Sequence, residues 1–117
     1  MIDLDTTVGE VEIILKISKE EWYDRVSLLD QPGIRTSMTL RTALERFPVM
    51  VMIYADLFFG GRWLAGEEVL FQSKPVYMLL YIQRIIKGPW PKAEAHLATD
   101  ESIFSAYKIY LMEEGLS

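Results

Sequence analysis

Two apolar stretches each carry one charged residue in their second half: Asp56 in "PVMVMIYADLFF" and Arg84 in "PVYMLLYIQRII". Acids in unusual surroundings can act in catalysis, and the two groups could face a common groove. With Tyr54, Tyr81 and Arg62, these two residues form the polar set that a pocket for a small molecule would use. The spacing places no second acid or nucleophile beside Asp56, and the 28 residues between Asp56 and Arg84 suit an internal ion pair equally well. Cysteine is absent, which removes thiolate nucleophiles and sulfur-ligated zinc, and with His96 the single histidine the usual metal clusters and Ser/His pairs are not easily assembled. Glycines occur singly or as Gly60-Gly61, without a phosphate-binding or dinucleotide fingerprint. The expectation is a protein with no catalytic residues, no cofactor and no metal: not an enzyme.

A partner surface is the competing use of unusual residues. Trp22 is a hot-spot residue type. Arg35 and Arg41 belong to an arginine-bearing middle segment, and Ile13 and Leu15 lie in an alternating apolar segment that could pair with another chain. The net charge is −5, and residues 1–30 account for all of it, with eight acids against three bases. That balance argues against general nucleic-acid binding, which needs a basic face. Eight carboxylates are also few for an imitation of DNA.

The elements that must position these residues are mostly helical. "EVEIILKI" at 10–17 alternates, with Val11, Ile13, Leu15 and Ile17 on one side, and predicts a short N-terminal strand. Such a strand would pair with residues 2–6, with a second copy or with a partner. A helix continuous with the next one is the alternative. Ser18 and Glu21 form a capping-box pattern ahead of Trp22, Val26 and Leu29, and Pro32-Gly33 closes that helix. "TSMTLRTALERF" predicts a further helix, capped by Thr36 or Ser37, burying Leu40, Ala43, Leu44 and Phe47, and broken ahead of Pro48.

Downstream the sequence repeats. Residues 48–74 and 75–101 align without gaps at a shift of 27, with Pro48/Pro75, Val49/Val76, Tyr54/Tyr81, Gly61/Gly88, Trp63/Trp90, Glu67/Glu94 and Leu70/Leu97 identical. Continuing the shift pairs Val76 with Ile103, Ile82 with Ile109 and Gly88 with Gly115, whereas no clear copy precedes Pro48. Such periods mark stacked units that cannot bury their apolar faces alone. Each unit reads as a long helix (about 48–59, 75–86 and 102–112), a glycine stop and a short helix (about 64–72 and 91–98). Gly61, Gly88 and Gly115 suit left-handed helix ends, and Pro91 a first helical turn. The recurring Trp63 and Trp90 read as wedges between helices.

The stretch "GPWPKAEAHLATD" at 88–100 resembles the short tandem helical repeats of uncharacterised bacteriophage and bacterial proteins. The residues that carry the likeness are Gly88, Trp90, Pro91, Ala93, Glu94, Leu97, Asp100 and Tyr107. The earlier copy keeps Gly61, Arg62, Trp63 and Glu67 but has Leu64 where the proline would stand. The resemblance covers residues 60–110 and implies a phage or prophage setting; it implies no activity.

The expected fold is therefore mainly α: stacked antiparallel helical hairpins with a short N-terminal β-strand. It forms one domain over residues 1–117, with 1–17 the β segment, 18–47 a helical pair and 48–115 the repeats. The apolar run around Asp56 falls short of the roughly 20 residues a membrane helix needs, and no signal peptide is evident at the N-terminus. A cytoplasmic protein is expected, acting as a non-catalytic protein–protein interaction module, for instance a small phage-encoded inhibitor of a host or defence protein. The alternatives are a homo-oligomeric structural protein joined through the N-terminal strand, or a small-molecule binder using a pocket between repeats.

Overall fold

The computed structural model describes residues 3–18 and 33–115, and among them the chain is helical with no strand. Helix α1 spans Val8–Ser18 and α2 spans Leu40–Arg46. The long helix α3 runs over Val49–Tyr54 and continues through a widened π turn, Ala55–Phe59. Helix α4 is short, Leu64–Leu70. Then α5 (Pro75–Tyr81) continues through a second π turn, Ile82–Ile86. A 3₁₀ turn at Pro91–Ala93 leads into α6, Glu94–Leu97, and α7 spans Glu101–Glu113. The expected order of long and short helices is thus present, within a residue or two at each end.

The strand expected at 10–17 is not: that segment is α1. The alternation was misleading, because the same residues also carry helical spacing. Val8 and Val11, one turn apart, are both buried, whereas Ile13, which a strand would place beside Val11, is 61% exposed. Thr7 caps the helix, its hydroxyl accepting from the Glu10 amide at 3.2 Å. An eleven-residue helix is marginal alone, and tertiary hydrogen bonds complete it. The Val8 and Gly9 amides donate to the Met38 and Thr36 carbonyls at 2.7 and 2.9 Å. In return the Leu40 and Arg41 amides at the start of α2 donate to the Thr6 and Leu4 carbonyls at 2.8 and 2.9 Å. Each helix start thereby satisfies amides that the other's first turn leaves open. Gly9 permits the approach, since a Cβ there would stand 3.2 Å from the Thr36 oxygen. The Thr7–Thr39 pair is an isolated antiparallel bridge, not a strand.

Helix α2 is capped by Thr39 and not by Thr36 or Ser37; its hydroxyl accepts from the Thr42 amide at 3.3 Å. Leu40, Ala43 and Leu44 are fully buried, and the helix ends before Phe47, whose φ of −129° and ψ of 73° keep it clear of the Pro48 ring. The helix expected to begin at Ser18, with Trp22, lies outside the described residues.

The left-handed positions also differ from expectation. Gly60 (φ 65°) and Lys87 (φ 57°) turn the chain, one residue ahead of Gly61 and Gly88, while Gly115 (φ 67°) fulfils its predicted role. The cause is the widened last turn: the amides of Gly60 and Lys87 reach back five residues, to the Ala55 and Ile82 carbonyls.

The long helices touch in sequence order, α3 on α5 and α5 on α7, and each short helix packs on the long helix that follows it. One core runs through all of them, from Leu4 and Val11 to Tyr107 and Leu111.

Candidate functional site

The polar residues of the core gather at the joints between short and long helices. At the first joint the Tyr81 hydroxyl, on α5, donates to Glu67 Oε2 at 2.7 Å and accepts from the Trp63 amide at 2.9 Å. Glu67 also takes two hydrogen bonds from Arg62, Nε to Oε2 at 2.9 Å and Nη2 to Oε1 at 2.8 Å. The Glu67 side chain is 7% exposed and that of Arg62 47%, so the carboxylate is inside and the guanidinium forms the lid. Arg62 also lies 5.4 Å from the centre of the Trp90 ring. A buried carboxylate needs this much compensation, because an unpaired one would be prohibitively desolvated.

The second joint is built the same way. The Tyr107 hydroxyl donates to Glu94 Oε2 at 2.8 Å and accepts from the Trp90 amide at 3.0 Å. No arginine stands before Trp90, where Pro89 is found, and Glu94 is correspondingly less buried. The register differs by one from the sequence alignment, since Tyr107 follows Tyr81 by 26 residues and not 27. The loop ahead of α7 (98–100) is one residue shorter than that ahead of α5 (71–74).

The indoles link successive joints. Trp63 stacks on Tyr54 at 5.8 Å and on Phe59 at 5.0 Å, and Trp90 lies 5.8 Å from Tyr81 and 5.4 Å from Phe71. Both tryptophans are buried, at 6% and 5% exposure. They do not present themselves to a ligand.

Of the five pocket residues picked from the sequence, the structure joins Arg62 to Tyr81 through Glu67, and Asp56 to Arg84 directly, Nε to Oδ2 at 3.2 Å. It does not unite the two pairs in one cavity. Asp56 and Arg84 are exposed, at 40% and 64% of their side chains, so their attraction is largely screened. Beside them Met52, Leu80, Gln83 and Arg84 line an open depression of about 340 Å³. Tyr54 is fully buried, and its hydroxyl finds no hydrogen-bond partner among the described residues.

The partner candidates are scattered. Ile13 is exposed on α1; Leu15 lies on the same helix, but its side chain, like Trp22, is outside the described residues. Arg35 is exposed in the loop before α2, and Arg41 sits 3.8 Å from Asp5 at the surface. His96 is a tether: its Nε2 donates to the Ser73 carbonyl at 2.7 Å, tying α6 to the loop before α5.

Sequence reasoning did not single out Glu67, which is buried, or Glu94, which is half-buried, as polar groups of the joints. A signal was present, since both stand four residues after a tryptophan and 13 or 14 residues before the tyrosine that binds them. The chemistry at the joints is passive. Burial raises the Tyr81 pKa, and the bond to Glu67 raises it further against the opposing pull of the Trp63 amide. Burial likewise raises Tyr107, with the Trp90 amide opposing and Glu94 reinforcing. Burial alone raises Tyr54. The Arg62 pKa is raised chiefly by its hydrogen bond to Glu67. Tyr81 and Tyr107 thus serve as neutral donors to the two carboxylates.

Among the described residues no group of three or more His, Asp or Glu is placed to hold a metal ion, and no helix is long and apolar enough to cross a membrane. Comparison of the chain with family models, with curated proteins and with solved structures returned no match.

Proposed function

We propose that this chain is a non-catalytic protein-binding module built from tandem helical hairpins of about 27 residues. Its setting is the host cytoplasm, where it acts as a small phage-encoded factor that occupies a host or defence protein. The hairpin reading is supported by the matched joints Trp63–Glu67–Tyr81 and Trp90–Glu94–Tyr107, which share donors, acceptors and chain order. The phage setting is supported by the likeness of residues 88–100 to phage repeats.

The observation that carries the binding role is that the ionic and phenolic groups picked for a pocket are engaged with one another or shut inside the core. Arg62 and Tyr81 close on Glu67, Arg84 pairs with Asp56, and Tyr54 is buried. Among several exposed apolar side chains, Val76 and Leu80 stand one turn apart on α5, each 37% exposed, and Leu80 lines the depression with Met52 and Gln83. An apolar strip edged by polar groups suits a protein partner better than a small polar metabolite. Oligomerisation through an N-terminal strand loses its basis, because α1 occupies that segment.

The test is capture from host lysate by the immobilised chain, in parallel with Leu80→Asp. The reading requires a protein retained by the wild type and lost with Leu80→Asp, while circular dichroism of the variant is unchanged. Retention of the same proteins by both, or co-purification of a metabolite and no protein, would end it. Light scattering across a dilution series should show a monomer throughout.

A further inference from the structure

The left-handed residues Gly33, Gly60 and Lys87 are spaced 27 apart, and the first of them precedes the part of the chain in which no repeat was evident from sequence. Each is followed by a short helix and then a long one: α2 and α3, α4 and α5, α6 and α7. Arg35 stands 27 residues before Arg62, Pro48 before Pro75 and Tyr54 before Tyr81. The Tyr54 ring lies 5.8 Å from Trp63, as the Tyr81 ring lies 5.8 Å from Trp90. What the first hairpin lacks is the polar joint. Thr36 takes the place of the tryptophan and Leu40 that of the glutamate. Leu40 is fully buried and offers no acceptor, and the buried Tyr54 hydroxyl has no partner among the described residues.

We infer that residues 33–59 are a third, eroded copy of the hairpin, and that this copy opens ahead of the other two because its tyrosine hydroxyl meets no partner among the described residues. An unpaired buried hydroxyl destabilises the closed state, whereas a satisfied one holds two helices together. Helix α1 takes the position of a preceding unit, and its exchange of amide bonds with the start of α2 is what holds the eroded copy shut. Local opening of this kind follows uneven local stability.

The inference rests on the tandem-hairpin reading, though not on protein binding, and three variants of the full chain separate the two. Tyr81→Phe and Tyr107→Phe report on the joints themselves; each should lower the thermal midpoint by about 4 °C or more. Tyr54→Phe should leave the midpoint unchanged or raise it. Native-state amide exchange should show lower protection at 51–55 in α3 than at 78–82 in α5. If Tyr81→Phe and Tyr107→Phe have no effect, the hairpin reading fails and takes the inference with it. If they act as expected but Tyr54→Phe lowers the midpoint equally, or α3 is protected as well as α5, only the inference is overturned.

Discussion

The Tyr81 hydroxyl donates to Glu67 across 2.7 Å, joining a long helix to the short helix before it in a part of the molecule where both groups are buried. The same oxygen receives the Trp63 amide, so one phenol fixes a backbone turn and a carboxylate together. This arrangement makes the joint a stability element, and its variants should differ according to burial.

Glu67→Ala leaves Tyr81 buried without its acceptor, while the half-exposed Arg62 can turn to water, and should cost about 2 kcal/mol. Glu94→Ala removes a less buried carboxylate with no arginine and should cost about 1 kcal/mol. Urea unfolding of the two variants measures the difference. Equal losses would show that burial does not rank the joints.

Alkaline pH should unfold the protein earlier than surface charge alone would. Tyr54 and Tyr81 have folded-state pKa values raised by burial above the ordinary tyrosine value. Below about pH 10 both states keep their protons and stability does not depend on these groups. Above it the unfolded chain releases protons that the fold retains, so stability falls by about 1.4 kcal/mol per pH unit for each tyrosine. Thermal midpoints measured through this range should bend downward, and Tyr81→Phe should flatten the slope.

Gly66→Ala reverses the usual helix rule. Alanine normally improves a helix interior, yet here its Cβ would stand 2.6 Å from the Trp63 ring and 2.8 Å from Val51. Overpacking should cost about 2 kcal/mol. Gly61→Ala meets nothing within 4 Å and has no positive φ, so denaturation should place it within about 0.5 kcal/mol of wild type.

Lys87 turns the chain with φ of 57°, a conformation that penalises a Cβ. Gly60 does the same work at the end of α3. Lys87→Gly should stabilise the protein by about 1 kcal/mol, and a lower denaturation midpoint in the variant would contradict that strain.

The sequence was most legible where apolar spacing and punctuation agreed. Pro48, Pro75 and Pro91 mark helix starts, and Leu40, Ala43 and Leu44 are buried as their spacing requires. It misled at α1, where alternation and helical spacing coexist and the choice depends on carbonyls at 36 and 38, far along the chain. The candidate pocket residues fall into two separate pairs for a related reason. Residue type identifies Asp56, Arg62 and Arg84 as able to pair, but the choice of partner depends on which helices touch.

Composition and periodicity by themselves determined a helical chain without cysteine chemistry, the order of its long and short helices, and the burial of Trp63 and Trp90. These follow from local preference and from the energy of removing apolar surface from water, both readable residue by residue. Only the tertiary structure decided that Glu67 lies inside and Glu94 half-inside, that Tyr107 and not its neighbour closes the second joint, and that the Tyr54 hydroxyl meets no partner among the described residues. Hydrogen bonds form between groups separated by many residues, and a one-residue change in loop length is enough to change which groups meet.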